Sequence, residues 1–183
     1  MIYIITGPSG VGKNTIINEL SNHLEFYFSV SHTTRPRREN EVDGKDYYFL
    51  SVDEFKKLVN QNRFLEWEEV YSNMFYGTLV EEVERLWAED KVIIFDVDVK
   101  GALASKSHFK ENGLAIFVAP PSIESLEKRL RSRGTENEES LNKRVSKAAS
   151  EMNYQNEFDV TVINDNLEDS CHKSLNLVRK FIG

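Results

Sequence analysis

Short unbroken apolar runs and apolar residues at helical spacing take turns along the 183-residue chain. Ile2-Tyr3-Ile4-Ile5 is one such run, and the pattern returns as Val92-Ile93-Ile94-Phe95, Ala115-Ile116-Phe117-Val118 and Val160-Thr161-Val162-Ile163. Runs this short, apolar at every position, suit strands covered on both faces. Between them Ile16, Ile17, Leu20 and Leu24 recur at helical spacing, so a helix is expected to open inside the glycine-rich turn after the first strand. Phe26 to Ser31 reads as a second strand. Further helices are expected near Leu79 to Ala88, from about Lys100, and over Ile123 to Arg133, Glu138 to Asn153 and Leu167 to Phe181. The alternation predicts an α/β fold in three layers, with a mainly parallel core sheet between helices.

Two segments break the alternation. Residues 32 to about 81 hold an arginine-rich turn, short strands around Tyr47 to Leu50 and Phe64 to Tyr71, and a helix near Asp53 to Asn60. Residues from Arg129 to about Arg144 are densely charged, with Gly134 breaking a helix. Insertions in a compact α/β unit are more often binding lids than core, so both are expected to be movable pieces around a fixed site.

Composition narrows the picture. The length allows one well-buried core, and 40% hydrophobic with 29% charged residues reads as soluble and globular. A net charge of -7 argues against a general nucleic-acid binder, which needs a diffuse excess of cations to displace counterions. Any positive patch must be local. The single Cys171 has no internal disulfide partner, and His23, His32, His108 and His172 lack metal-ligand spacing, so a reducing cytoplasmic setting is expected. The first five residues read as a strand and not as a targeting segment, and no apolar run approaches the roughly 20 residues of a membrane helix.

The stretch Gly7-Pro8-Ser9-Gly10-Val11-Gly12-Lys13-Asn14-Thr15 carries the first chemistry. It matches G-x-x-x-x-G-K, a pattern that chance supplies in about one chain in twenty of this length. Context raises its weight, because the match leaves an apolar strand and enters an amphipathic helix. Backbone N–H groups of Ser9 to Lys13 can then face a polyphosphate with the helix dipole behind them. Asn14 stands where Ser or Thr usually meets a magnesium ion, and Thr15 follows it.

A second anion site is suggested by Arg35, Arg37 and Arg38 with Tyr47 and Tyr48 close behind. Arginine forks hold phosphate bidentately and a tyrosine hydroxyl adds a donor. The plainer possibility is a solvated loop, with Glu39, Glu41 and Asp43 as surface partners. Strand alternation in Phe64-Leu65-Glu66-Trp67 turns Glu66 away from a face burying Leu65 and Trp67, so Glu66 can meet a ligand. Asp96 and Asp98 share one side at the end of a buried strand, where ligands of open α/β sheets bind. Helix capping is the competing role for these aspartates, and the two roles can coexist.

These residues carry a resemblance to the guanylate kinases. Besides the glycine loop it rests on SVSHTTRPRRENEVDGKDYYF, FLEW, FYGT, FDVDVKG, APPS, KRLRSRGTE, NKR and VIND, in matching order over nearly the whole chain. The resemblance implies one domain of the phosphate-loop (P-loop) class. Its core is residues 1–31, 82–123 and 152–183, its GMP-binding insert residues 32–81 and its helical lid residues 124–151. Ser31, Glu66, Thr78 and Asp98 fall where the family reads guanine, and Arg35, Arg38, Tyr47 and Tyr76 where it holds the GMP phosphate. Acceptor carboxylates suit guanine, whose N1–H and exocyclic amine are both donors. Arg37 is outside the motif and reads as solvated. Arg129, Arg133 and Arg144 fall where the family closes over the ATP phosphates, and Asn164 with Asp165 where it contacts adenine. Arg129 and Arg133, four apart beside Leu126 and Leu130, would share a helix flank. A solvated flank is their ordinary alternative.

The implied reaction is reversible transfer of the γ-phosphoryl of ATP to GMP, with dGMP expected as a second acceptor. Magnesium is expected to be held mainly by ATP and water, with Asn14, Thr15 or Asp96 as possible protein contacts. Lys13, Arg38 and the lid arginines would position and neutralise, since an acceptor phosphate with a second pKa near 6 is already an adequate nucleophile. ATP and GMP are the expected partners, with no nucleic acid, membrane or obligate protein partner implied. The rival is a non-catalytic relative that binds phosphorylated peptides, which would have no use for Lys13 and the lid arginines.

Overall fold

β1 (Ile2–Thr6) runs through the centre of a five-stranded sheet, flanked by β7 (Ile93–Asp96) and β8 (Gly113–Ala119). β2 (Tyr27–Phe28) and β9 (Val160–Ile163) form its edges, and every pairing is parallel. The computed structural model describes residues 1–89, 91–132 and 138–182. All five residues of β1 are buried. Tyr3 and Ile5 pack on one face with Ile16, Leu20, Leu126 and Val178, whereas Ile2 and Ile4 pack on the other with Val83, Val99 and Phe158. Covering both faces is what makes the strand apolar at every position.

The helices supply those covers. α1 (Lys13–His23) and α7 (Leu167–Ile182) lie on one face, and α3 (Val80–Ala88) and α4 (Val99–Phe109) on the other. α5 (Ile123–Ser132) and α6 (Glu138–Glu151) pack against each other, and α6 passes into a 3-10 turn at Met152 rather than continuing to Asn153. The expected helix break at Gly134 lies outside the described residues. The second strand is shorter than Phe26 to Ser31, because only Tyr27 and Phe28 reach β7 at the sheet edge. Among the described residues no helix is long and apolar enough to cross a membrane.

The insert builds its own four-stranded sheet, in the order β4-β3-β6-β5. Its strands are β3 (His32–Thr33), β4 (Tyr48–Phe49), β5 (Phe64–Tyr71) and β6 (Met74–Leu79). β5 and β6 form an antiparallel hairpin turned at Asn73, whose φ is 59°. The register shifts between Phe64 and Glu66, and this bulge overturns the simple alternation expected there. Leu65 packs toward the core and Glu66 still faces inward, but Trp67 is 47% exposed and not buried. Phe55 of α2 (Val52–Asn60) stacks between Phe64 at 4.3 Å and Phe75 at 5.4 Å, giving the insert a small core of its own.

α2 begins with a reciprocal cap: Ser51 Oγ accepts from the Glu54 amide, and the Glu54 carboxylate accepts from the Ser51 amide. Replacing such a cap by alanine costs about 1 kcal/mol. Ser51→Ala is therefore expected to lower the urea midpoint by that increment divided by the m-value, with the m-value itself unchanged, as an equilibrium unfolding curve would read.

Candidate active site

The carboxyl ends of β1 and β7 open on the same crevice, and the glycine loop leaves the first of them. Gly7, Gly10 and Gly12 all have positive φ, at 139°, 87° and 102°. At Gly7 a Cβ would stand 2.1 Å from the Val118 carbonyl oxygen, so only glycine brings the loop this close to β8. The loop tightens through a Val11 amide to Pro8 carbonyl hydrogen bond of 3.2 Å and enters α1 at Gly12. α1 has neither a side-chain cap nor an acidic residue in its first turn, unlike α2. Its first amides and the positive end of its dipole thus face the crevice with no acidic side chain of their own turn against them.

Lys13 Nζ donates to the Gly7 carbonyl at 2.8 Å, folding back across the loop. Burial pushes its pKa down, and the carboxylates of Asp96, Glu151 and Asp98 oppose that shift. Ser9 Oγ accepts from Arg144 Nη2 of α6 at 2.6 Å, which connects loop and lid directly. Asn164 is buried, and its amide Nδ2 donates to the Val11 carbonyl at 2.8 Å. This residue, expected near adenine, braces the phosphate loop from beneath. Arg129 points elsewhere, donating to the Asp165 carbonyl at 3.4 Å, and Arg133 lies outside the described residues.

Across the crevice the four residues expected at the base come together. Ser31 Oγ lies 3.3 Å from Thr78 Oγ1, and Thr78 hydrogen-bonds Glu66. Glu66 Oε2 and Asp98 Oδ1 both border Gly101, where a Cβ would meet them at 2.9 and 3.2 Å. Burial raises the Glu66 carboxyl to about 7; its hydrogen bond to Thr78 opposes this and the Asp98 charge adds to it. Asp98 also caps α4, accepting from the Gly101 amide at 2.8 Å, so capping and pocket roles coincide in one side chain.

Of the residues expected at a second anion site, Arg35, Tyr47 and Tyr76 come together, whereas Arg38 reaches them only through its backbone amide. Arg35 pairs with Glu41 at 2.7 Å, lies 5.6 Å from the Tyr47 ring centroid and hydrogen-bonds Tyr76. The Tyr47 and Tyr76 rings are 6.0 Å apart. The other Glu41 oxygen accepts from the Arg38 amide at 2.8 Å. Glu41, which sequence reasoning left as a surface partner, thus sits where an anion would. Arg37 and Arg38 are exposed.

The crevice consists of two adjoining cavities. The larger, about 830 Å³, is lined by the glycine loop, Lys13, Asp98 and the α6 residues Lys143, Arg144 and Lys147. The smaller, about 350 Å³, is lined by Ser31, Asp46 and Tyr47. Asn14, Asp96 and Val97 line both, so the end of β7 is where the two sites meet. Asp96 has its pKa raised by burial at this floor, with Lys13 opposing. Lys147 and Glu151 also line the larger cavity, Glu68 reaches Lys147 from β5, and none of the three was expected there. Period two from Glu66, and helical spacing from Arg144, were the signals that could have found them.

A strand, a glycine loop with a terminal lysine and a helix, facing a separate anion and base pocket, define a phosphate-loop phosphotransferase with a second substrate site. The comparisons agree. The guanylate kinase family profile matches residues 1–180. The guanylate kinase of Porphyromonas gingivalis is 44% identical over 184 residues, covering 100% of this chain and 98% of its own. That of Thermotoga maritima is 44% identical over 179 residues, covering 97% and 86%. The crystal structure of guanylate kinase from Anaplasma phagocytophilum superposes with a TM-score of 0.73 at 28% identity, over 98% of this chain and 85% of that one. The chain belongs to the guanylate kinase family.

Proposed function

We propose that the crevice joins the donor and acceptor halves of one phosphoryl-transfer site, with the donor on the Lys13 side of the larger cavity and the acceptor between Ser31 and Tyr47 of the smaller cavity and Asp98 of the larger. Transfer between ATP and GMP is the activity of the family to which the chain belongs. The observation that carries the assignment of halves is the shared wall at Asn14, Asp96 and Val97, which lets a phosphate on the Lys13 side approach one on the Tyr47 side. On the donor side Gly7, Pro8, Ser9, Gly10, Val11 and Gly12 shape the cradle, Lys13 neutralises the transferring group, and Arg144 closes from the lid. Asn164 keeps the cradle in shape. Arg129 joins only if the lid turns it away from Asp165. On the acceptor side Arg35, Arg38, Tyr47 and Tyr76 take the GMP phosphate, which displaces Glu41 from Arg35. Ser31, Glu66, Thr78 and Asp98 take the base. Residues 32–81 act as the GMP-binding piece and residues 124–151 as the lid.

The residues at the shared wall suit magnesium. Asn14, Thr15 and Asp96 line the donor cavity and offer oxygens to an ion that takes most of its shell from water and phosphate. Asp96, Asn14 or Thr15 would hold the ion or its waters. Magnesium, when bound, supplies charge neutralisation at the phosphates. The protein's own part is to align the two phosphates and keep water out during transfer.

A coupled assay for ADP formation across GMP, dGMP, AMP, UMP and TMP tests this reading, with GMP and dGMP expected to be accepted. Efficient turnover of AMP would sink the base assignment. Within the acceptor half, Arg38→Ala should raise KM for GMP by about 10- to 100-fold, as expected for a lost charge-assisted hydrogen bond, with KM for ATP little changed. Arg37→Ala should move neither by more than about twofold. Steady-state kinetics of both variants checks the register of the motif.

A further inference from the structure

Lys147 follows Arg144 by three residues on α6 and lines the same cavity. Its ammonium is 3.8 Å from Glu151 Oε1 on its own helix and 3.9 Å from Glu68 Oε1 on β5. The first contact is an ordinary pair of one helix surface. The second joins the insert to the lid across the crevice. Both distances are at the long end for an ion pair, so the lysine is divided between two partners. Glu68 is divided as well. It stands two residues from Glu66 on the inward face of β5 and hydrogen-bonds Asp98 at the head of α4.

We infer that Glu68 and Lys147 are positioning residues: their ion pair lets the GMP-binding hairpin hold α6 across the crevice, and with it the guanidinium of Arg144. This rests on the proposed placement of guanine at Asp98 and of the lid at α6. The hydrogen bond between Glu68 and Asp98 requires a proton on one of the two carboxylates, and the raised Glu68 pKa assigns it to the glutamate. When a guanine N–H donates to Asp98 instead, Glu68 gives its proton to solvent and the carboxylate turns fully to Lys147. α6 is then fixed from the acceptor side, and Arg144 is held over the phosphate loop it already touches through Ser9. GMP binding thereby strengthens ATP binding through the ion pair between β5 and α6.

The charged groups facing Glu68 are Asp98 and Lys100 from α4 and Lys147 from α6. The hydrogen bond to Asp98 and then burial raise its carboxyl to about 7. The pair with Lys147 is therefore available above that pH and lost below it.

The test is a double-mutant cycle on the full chain, with Glu68→Gln, Lys147→Met, the double variant, and the exchange Glu68→Lys with Lys147→Glu. The readout is the ratio of dissociation constants for a non-hydrolysable ATP analogue without and with GMP. In the parent protein that ratio is expected to exceed one and to grow as pH rises through about 7. Each single variant should reduce it by about three- to fivefold, the size of a partly exposed ion pair, and make it flat with pH. The double variant should be no worse than the worse single one, and the exchange should restore part of the ratio. A parent ratio of one, additive losses in the cycle, or an unchanged ratio in either single variant would overturn the inference. Glu66→Gln serves as the separate control. If it weakens GMP while the cycle shows no coupling, the latch alone fails; if it leaves GMP kinetics unchanged, the placement of guanine fails.

Discussion

Lys13→Ala is expected to lower kcat/KM by about a hundredfold or more, whereas Asn14→Ala should cost less than about tenfold. The two side chains adjoin in sequence and line one cavity, so the contrast isolates their chemistry from their location. Lys13 is a desolvated cation. Burial lowers its pKa on balance, while Asp96, Glu151 and Asp98 oppose that shift and favour the charged form. A cation held in such a site is worth more to a transferring phosphoryl group than the same charge in water, because little solvent has to reorganise as charge develops. Its resting hydrogen bond to the Gly7 carbonyl must break when a phosphate enters, and a charged acceptor compensates for that loss. Asn14 is exposed at the wall between the cavities and can offer only an amide oxygen to an ion that already takes most ligands from water and ATP. Thr15 has a hydroxyl beside it, so Asn14→Ser should be near neutral. The variants should be assayed at saturating and at limiting Mg²⁺. A fall of Asn14→Ala to the Lys13→Ala level under both conditions would make Asn14 an essential ligand.

The phosphate loop was legible because its requirements are local: a buried strand, three glycines that leave the ordinary φ range, a lysine and an amphipathic helix are contiguous in sequence. The central sheet was legible for a related reason, since strands covered on both faces leave unbroken apolar runs. The insert was harder. β6 contains Gly77 and Thr78 between larger residues, and its apolar positions pack against a three-ring stack and not a broad core. The bulge beside Leu65 disturbed the alternation that would otherwise have placed Trp67 inside. Residues whose role comes only from the meeting of distant segments left the weakest trace. Glu68 needs α4 and α6 beside it before its charge has any consequence, and Glu41 becomes an occupant of the anion site only because its loop returns to Arg35 and the Arg38 amide. Asn164 shows the reverse case: the resemblance implies an adenine contact for it, whereas the fold shows its amide donating to the Val11 carbonyl.

Glu66→Gln is expected to lower the efficiency with GMP by roughly 10- to 150-fold, with ATP binding in the absence of GMP unchanged. The glutamine keeps the shape but replaces an acceptor-only carboxylate with a group that presents one donor edge. Guanine's N1–H and amine then face an amide N–H at the position where they need an oxygen. Thr78 holds the side chain from one side, so the amide has limited freedom to turn its oxygen back toward the base. The same burial that makes the hydrogen bond strong also raises the Glu66 carboxyl to about 7, which adds a dependence on pH. On the proposed placement, guanine binds the ionised form. KM for GMP should therefore be high below that value, fall as pH rises through it and level off above, because the unbound carboxyl releases its proton in that range. The GMP phosphate also titrates, near pH 6. Dividing the parent profile by that of Glu66→Gln removes the phosphate's contribution, since the glutamine variant keeps the phosphate site and lacks only the titrating carboxyl. A quotient that is flat between about pH 6 and 8 would show that Glu66 binds the base without a change of protonation. Equal KM values for the two proteins at high pH would remove Glu66 from the base pocket altogether.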